Sequence, residues 1–114
     1  MNVQNKYRAI AREFRDKVLE KYGERVDSII LFGSAARGEA REDSDIDILV
    51  VGDVTLDELV DVTIPLLLQH GKYISAQDMK KSRFNRMVVQ GYSFIKNVNN
   101  DGVVLFERVG KASG

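Results

Sequence analysis

A short stretch between residues 33 and 47 concentrates the side chains with the clearest chemical potential. Gly33 and Ser34 directly follow an apolar run, and Ser34 stands where the pattern predicts a helix amino terminus. Without a Cβ, Gly33 lets other atoms approach its backbone, and the N–H groups at a helix start attract anions. This turn could therefore cradle a phosphate. The alternative is a common Gly-Ser turn in which Ser34 is an ordinary N-cap.

A pair of carboxylates follows, with ten residues separating Ser34 from Asp45. Asp45 and Asp47 lie two positions apart on a predicted strand, which points both to one face, about 6–7 Å apart along the chain. Their repulsion favours a bound cation, and Mg²⁺ commonly takes one or two carboxylates plus substrate phosphates. The alternative is a solvated strand edge. Together with the turn, the pair predicts nucleotidyl transfer, which requires an anchored triphosphate, a divalent metal and in-line attack.

The elements that must position these residues follow from hydrophobic periodicity and turn signals. Helices are predicted over residues 2–22, 55–69 and 80–96. Strands are predicted over residues 26–32, 45–51, 72–77 and 103–106. Thr55 and Glu58 form a capping box at the start of the second helix, and Gly23 and Gly71 supply helix stops. This alternation predicts an α/β (α+β) fold in which helices pack on a small mixed β-sheet.

Composition narrows the class of protein. The chain has 114 residues, 17 Lys and Arg against 17 Asp and Glu, and no Cys. We expect a single domain over residues 1–110 with a frayed tail over 111–114. The balanced charge makes nucleic acid an unexpected main partner. The absence of Cys excludes disulfides and a thiolate nucleophile, and no apolar run is long enough to span a membrane. We therefore expect a cytoplasmic protein without a membrane partner.

The motif as a whole resembles the polymerase-beta-type nucleotidyltransferase superfamily, and closely its minimal nucleotidyltransferases, the MNT-type antitoxins. The match consists of Gly33-Ser34, Ala36-Arg37-Gly38 and Ser44-Asp45-x-Asp47. The resemblance implies the nucleotidyltransferase fold. It also implies that Gly33 and Ser34 hold the triphosphate while Asp45 and Asp47, as the catalytic carboxylates, hold two Mg²⁺ ions.

Two further residues of the motif are candidates for phosphate binding. Arg37 could steady a phosphate through its guanidinium group, or it could form a surface ion pair with Glu39 or Asp43. Ser44 is the other candidate, and its alternative role is simply to start the strand.

The family pattern includes a third carboxylate on the next strand, and here the chain departs from it. The position that we align with that Asp is Ser75. Asp78 lies three residues further along, so strand alternation predicts that it faces the opposite side. We therefore expect metal-nucleotide binding, with either slow transfer or transfer to an acceptor that brings its own activation.

The resemblance suggests a function in a toxin-antitoxin pair. It implies Mg²⁺-dependent transfer of AMP, or another nucleoside monophosphate, from ATP or another nucleoside triphosphate to a hydroxyl. The expected partner is a HEPN-type helical protein, with a tyrosine as acceptor. Because so short a chain has little beyond a catalytic core, self-association is the other possible source of acceptor recognition. The alternatives are a catalytically weak or inactive nucleotide-binding antitoxin and a structural protein whose site has decayed.

Two charged features outside the motif have simpler interpretations. His70 ends a predicted helix, where an imidazolium interacts favourably with the helix dipole. Lys80, Lys81, Arg83 and Arg86 form a basic cluster. Such a run is usually a solvated helix face, although it could meet RNA, a triphosphate or an acidic partner.

Overall fold

The computed structural model describes residues 2–109, which form five α-helices and four β-strands. The helices are α1 Val3–Tyr22, α2 Gly33–Arg37, α3 Leu56–His70, α4 Lys81–Gln90 and α5 Ser93–Asp101. The strands are β1 Val26–Phe32, β2 Ile46–Gly52, β3 Ile74–Met79 and β4 Val103–Glu107. The predicted tail over 111–114 lies outside the described residues.

The four strands form one mixed sheet in the order β3-β2-β1-β4. β1 is antiparallel to both β2 and β4, whereas β2 and β3 are parallel. The parallel pair is joined by α3, as a crossover connection requires. The predicted mixed sheet with packed helices is confirmed.

Apolar residues on the two faces of the sheet form two separate cores. The larger core joins α1 and α3 to one face, with Phe14, Leu59 and Ile48 among its fully buried members. The smaller core lies on the other face, where Val98 of α5 and Phe84 of α4 pack against Leu49. Strand alternation explains the division, because neighbouring β2 residues point to opposite faces.

Local signals set the ends of the helices on the larger core. The Asn2 side chain accepts a hydrogen bond from the Asn5 N–H and caps α1. The predicted capping box of α3 is present, with Thr55 accepting from the Glu58 N–H and Glu58 accepting from the Thr55 N–H. Gly71 ends α3 in the left-handed conformation, at φ +70°.

The predicted helix over 80–96 is wrong in one respect, because the segment forms two helices. Gly91 ends α4 at φ +70°, and the chain restarts as α5 at Ser93. A glycine in the left-handed conformation stops a helix, although the apolar spacing continues past it. The predicted β3 boundaries were also two residues too early, and β2 begins at Ile46 rather than Asp45.

A search of the described helices finds none that is both long enough and apolar enough to cross a membrane.

Candidate active site

The candidate residues meet where β1 ends and β2 and β3 begin. Phe32, the last residue of β1, pairs with Asp47 of β2. On its other side Asp47 pairs with Ser75 of β3. Paired residues of neighbouring strands share a face, so Phe32, Asp47 and Ser75 lie side by side on the face that carries the smaller core.

A glycine is required at position 33 because the Asp47 carboxylate lies against its backbone. A Cβ built on Gly33 would lie 2.3 Å from Oδ2 of Asp47, and the residue has a φ of +73°. Both the clash and the left-handed backbone exclude a larger side chain. From the sequence we expected the open space at Gly33 to serve an approaching ligand. The nearest atoms there belong to the chain's own carboxylate.

Ser34 is the second residue of α2 and does not cap it. The N-cap is Phe32, and within residues 2–109 no side chain makes a capping hydrogen bond to this short helix. The carbonyl oxygen of Ser34 accepts the N–H groups of Gly38 and Glu39, which closes the end of α2. The interpretation of Ser34 as an ordinary N-cap is therefore excluded.

The two carboxylates differ in their surroundings. Asp45 is exposed and immediately precedes β2, whereas Asp47 is half-buried inside the strand. Burial raises the pKa of Asp47, the nearby charge of Asp45 raises it further, and the Arg37 guanidinium opposes both effects. Asp47 thus sits in the negative field of its neighbour, and a bound cation would relieve that repulsion.

Arg37 forms the surface ion pair, one of the two roles that the sequence left open. Its Nε donates to Oε1 of Glu39 at 2.8 Å, which is the predicted surface ion pair. This hydrogen bond, followed by the charges of Glu39, Asp101 and Asp47, raises the pKa of Arg37. The guanidinium therefore also contributes positive potential at Asp47.

Ser44 shapes the loop that leads into β2. Its Oγ accepts the Arg41 N–H at 2.8 Å, and its own N–H donates to the Arg41 carbonyl at 3.0 Å. These bonds close a tight turn directly before Asp45. The hydroxyl proton of Ser44 is not used in this turn and could still be donated to a ligand.

The start of α1 anchors the same loop, a feature that the sequence analysis missed. The Gln4 side chain forms hydrogen bonds with both backbone groups of Ala40. It donates to the Ala40 carbonyl at 2.8 Å and accepts the Ala40 N–H at 3.1 Å. The buried Tyr7 hydroxyl contacts the carbonyl oxygens of Arg41 and Glu42. Tyr7 was recognised only as an apolar helix position. Nothing in the local pattern indicates a bond to a residue more than thirty positions away.

The parallel register places the two candidates for the third carboxylate position on different faces. Ser75 is partly buried beside Asp47, on the same face. Asp78 pairs with Val50, is exposed and belongs to the opposite face of the sheet. β3 continues to Met79, so Asp78 obeys the strand alternation that was predicted for it.

The donor set around Asp47 fits a cation that is shared with phosphates. Among residues 2–109, no three His, Cys, Asp or Glu side chains converge as metal ligands. Asp45 and Asp47 offer two carboxylates to such a cation, and Mg²⁺ bound through one or two carboxylates usually takes its other ligands from substrate phosphates and water.

Comparison with known proteins identifies the class of protein that this fold and site define. A family model described as "Nucleotidyltransferase domain" matches residues 11–99, from α1 to α5. The chain belongs to this family of transferases, as its motif suggested.

Two curated proteins of Methanocaldococcus jannaschii are similar along nearly the whole chain. One, named "Putative protein adenylyltransferase MJ0604", is 44% identical over 102 residues, covering 90% of this chain and 99% of that protein. The other, named "Putative protein adenylyltransferase MJ1305", is 32% identical and covers 88% of this chain and 78% of its own length.

Solved structures show the same fold. A protein from Sulfolobus solfataricus, named "putative nucleotidyltransferase", superposes with a TM-score of 0.57 at 22% identity, over 92% of this chain and 84% of that one. A crystal structure of a toxin-antitoxin with AMP-PNP superposes with a TM-score of 0.55, also at 22% identity, over 86% and 74%. At such identities the likeness concerns the fold.

Proposed function

We propose that this protein transfers AMP from ATP to a hydroxyl of a partner protein in an Mg²⁺-dependent reaction. The observation that carries the proposal is the position of Asp47. It is half-buried beside Asp45 and packed against Gly33, next to the turn that carries Ser34. The curated relative at 44% identity is named as a protein adenylyltransferase, which supports AMP and a protein acceptor.

Each site residue has a distinct role in this proposal. Asp45 and Asp47 would hold Mg²⁺, which when bound neutralises phosphate charge and orients the triphosphate for in-line attack. The Ser34 hydroxyl would donate to a phosphate oxygen, a charge-assisted bond. Arg37 adds positive potential on the same side. In this assignment both carboxylates are engaged with Mg²⁺, so neither is left to accept the proton of the acceptor hydroxyl.

Ser75 limits what the site can do alone. A serine hydroxyl is not an anion at neutral pH, so Ser75 cannot be the anionic ligand or the proton acceptor that an Asp would be. We therefore infer that the acceptor is activated by the partner, which fits a protein acceptor better than a small free alcohol. The HEPN-type helical protein implied by the sequence resemblance is the proposed partner, with a tyrosine as acceptor.

The test is label transfer to the proposed HEPN-type helical partner. ATP labelled in the α-phosphate, Mg²⁺ and both proteins should give a covalently labelled partner, whereas label in the γ-phosphate should not be transferred. Asp47→Asn should abolish the transfer. The matched control is Asp57→Asn, which removes an exposed carboxylate of α3 and should leave it unchanged. Equal labelling with both variants would refute the assignment.

A second candidate is a nucleotide-binding antitoxin without turnover, and the Ser75 position favours it specifically. In this case the partner would stay unlabelled while Mg²⁺ and ATP still bind reversibly. Neutralisation of the partner would then survive Asp47→Asn, because it would depend on contact between the two proteins.

A further inference from the structure

Tyr73 stands directly before β3, at the edge of the candidate active site. Its carbonyl oxygen accepts the Ile46 N–H at 3.0 Å, which extends the parallel pairing of β2 and β3 by one residue. The register of this pairing sets Asp47 beside Ser75. Two residues earlier on each strand, the backbone of Tyr73 lies next to that of Asp45, about 5 Å away as in any pair of neighbouring strands.

The residues that flank Tyr73 show which face of the sheet it is on. Ile74 is fully buried in the larger core. Lys72 lies on the same side, with its Nζ 5.2 Å from the ring centroid of Tyr7, which also belongs to the larger core. Because successive residues of an extended chain point to opposite faces, Tyr73 lies on the other face, which carries Asp47.

The four tyrosines of the chain differ in what they offer to a ligand. Tyr73 is 48% exposed, beside the candidate site. The hydroxyls of Tyr7 and Tyr22 instead donate to backbone carbonyl oxygens, and Tyr7 is fully buried. Tyr92 is 51% exposed but precedes α5 rather than β3. Tyr73 is thus the exposed tyrosine at the start of the parallel strand pair.

The order of the strands fixes the side from which an acceptor reaches the nucleotide. This step rests on the proposed function, which sets the leaving pyrophosphate at the Gly33–Ser34 turn after β1 and the α-phosphate at Asp45 and Asp47. In an in-line displacement the entering oxygen lies opposite the leaving oxygen. β2 lies between β1 and β3, so an acceptor that enters opposite the pyrophosphate comes from the β3 side.

We propose that Tyr73 is an acceptor within the chain itself, so that the protein adenylylates its own Tyr73 when no partner occupies the β3 side of the site. The phenol oxygen of Tyr73 forms a bond to the α-phosphorus of ATP, and the bond from that phosphorus to the bridging oxygen of the β-phosphate breaks. Pyrophosphate leaves, and the phenol proton passes to water. A phenol gives up its proton more readily than an aliphatic alcohol, so it depends less on the carboxylate that Ser75 does not supply.

The modified residue also blocks transfer to a partner. Tyr73 and a tyrosine of the partner compete for the same phosphorus, and an adenylyl group on Tyr73 fills the side from which the partner enters. Self-modification therefore accumulates in the chain alone and declines when the partner is bound.

Mass spectrometry of the purified chain tests this proposal. Incubated with ATP and Mg²⁺, the parent chain should gain an adenylyl group, and peptide fragmentation should place it on Tyr73. Tyr73→Phe and Asp47→Asn should each lose the modification. Tyr92→Phe is the matched control and should keep it. An ATP analogue with a methylene group between the α- and β-phosphates should give no modification, because that bond does not break.

Two measurements protect the test against misfolding and against transfer between copies. Tyr73→Phe removes only an exposed hydroxyl, so its melting temperature and its Mg-ATP affinity should equal those of the parent. The fraction of chains labelled per unit time should not depend on the protein concentration, because acceptor and site belong to one chain. Excess HEPN-type partner should lower this rate.

The outcomes separate this proposal from the proposed function. An unmodified parent chain would overturn it, as would labelling that survives Tyr73→Phe or a rate per chain that rises with concentration. A labelled partner together with an unmodified Tyr73 would refute the self-transfer alone. If neither the partner nor the chain is labelled, both proposals fail.

Discussion

At the end of β1, the Asp47 carboxylate lies in the space that a side chain at position 33 would fill. The site therefore requires a glycine at that position. The left-handed backbone of Gly33 turns the chain from β1 into α2, and its missing Cβ leaves room for the Asp47 carboxylate. The sequence was sufficient to predict that these residue types belong to one site. It could not predict that the space at Gly33 is filled by Asp47, because that depends on the register between β1 and β2.

Substitution of Gly33 should lower the free energy of unfolding by more than its left-handed backbone conformation alone explains. Gly38 has the same φ of +73° but open space around its Cβ position, so Gly38→Ala measures the conformational cost. We expect Gly38→Ala to lower the free energy of unfolding by about 1–2 kcal/mol. Gly33→Ala should cost clearly more and should also weaken nucleotide binding, since Asp47 must move. Equal costs in chemical denaturation would contradict the contact.

The ionised carboxylate of Asp47 should lower the stability of the fold at neutral pH. The pKa of Asp47 is raised in the folded protein by burial and by Asp45, so the folded state binds this proton more tightly than the unfolded state. The free energy of unfolding therefore falls as the pH rises from the ordinary pKa of 3.8 through the raised value.

Asp47→Asn removes this penalty and should raise the melting temperature at pH 7. The gain should vanish below the ordinary pKa, where the carboxyl is protonated in both states. A lower melting temperature for Asp47→Asn at pH 7 would count against a raised pKa of Asp47 in the folded protein.

At the scale of elements, features that depend on neighbouring residues were predicted correctly from the sequence. Features that depend on residues far apart in the sequence were missed. The continuous apolar run Ile29–Phe32 and the Thr55–Glu58 capping box fix β1 and the start of α3 from neighbouring residues alone. The break at Gly91 was missed because the apolar spacing continues through it. The anchoring of the loop before β2 was missed because its partners are far apart in sequence.

Tyr7 should act on the site through the loop that it holds. Tyr7→Phe keeps the buried ring but removes the bonds to the carbonyl oxygens of Arg41 and Glu42, which should cost about 1–2 kcal/mol of unfolding free energy. It should also weaken Mg-ATP binding severalfold, since the loop leads to Asp45. Tyr22→Phe loses a comparable bond, to the Glu58 carbonyl at 3.3 Å, away from the site. Calorimetry should find its nucleotide affinity unchanged.

The register of β3 makes Ser75 the position where a third carboxylate can be restored. Ser75→Asp would add an anion beside Asp47 on the shared face, so we expect tighter binding of a second metal ion and faster transfer to the partner. Initial rates against Mg²⁺ concentration provide the measurement. Asp78→Asn should leave the rate unchanged, because Asp78 is on the other face. The opposite pattern would make Asp78 the third carboxylate.

At the scale of the whole molecule, stability and chemistry are divided between the two faces of the sheet. The larger core beneath α1 and α3 holds most of the buried side chains, whereas the candidate site shares its face with the smaller core. Helical and strand periodicity predicted this layered architecture. The candidate site lies on the side of the smaller core because Asp47 is on the same face of β2 as Leu49 and Val51, which belong to that core.

The assignment of Asp45 and Asp47 as a metal-nucleotide site is tested most directly by calorimetric titration with ATP, with and without Mg²⁺. The parent chain and Asp78→Asn should bind ATP tightly only when Mg²⁺ is present. Asp45→Asn and Asp47→Asn should each lose this dependence, because one remaining carboxylate leaves the ion underliganded. Unchanged Mg-ATP affinity in both single variants would contradict the site.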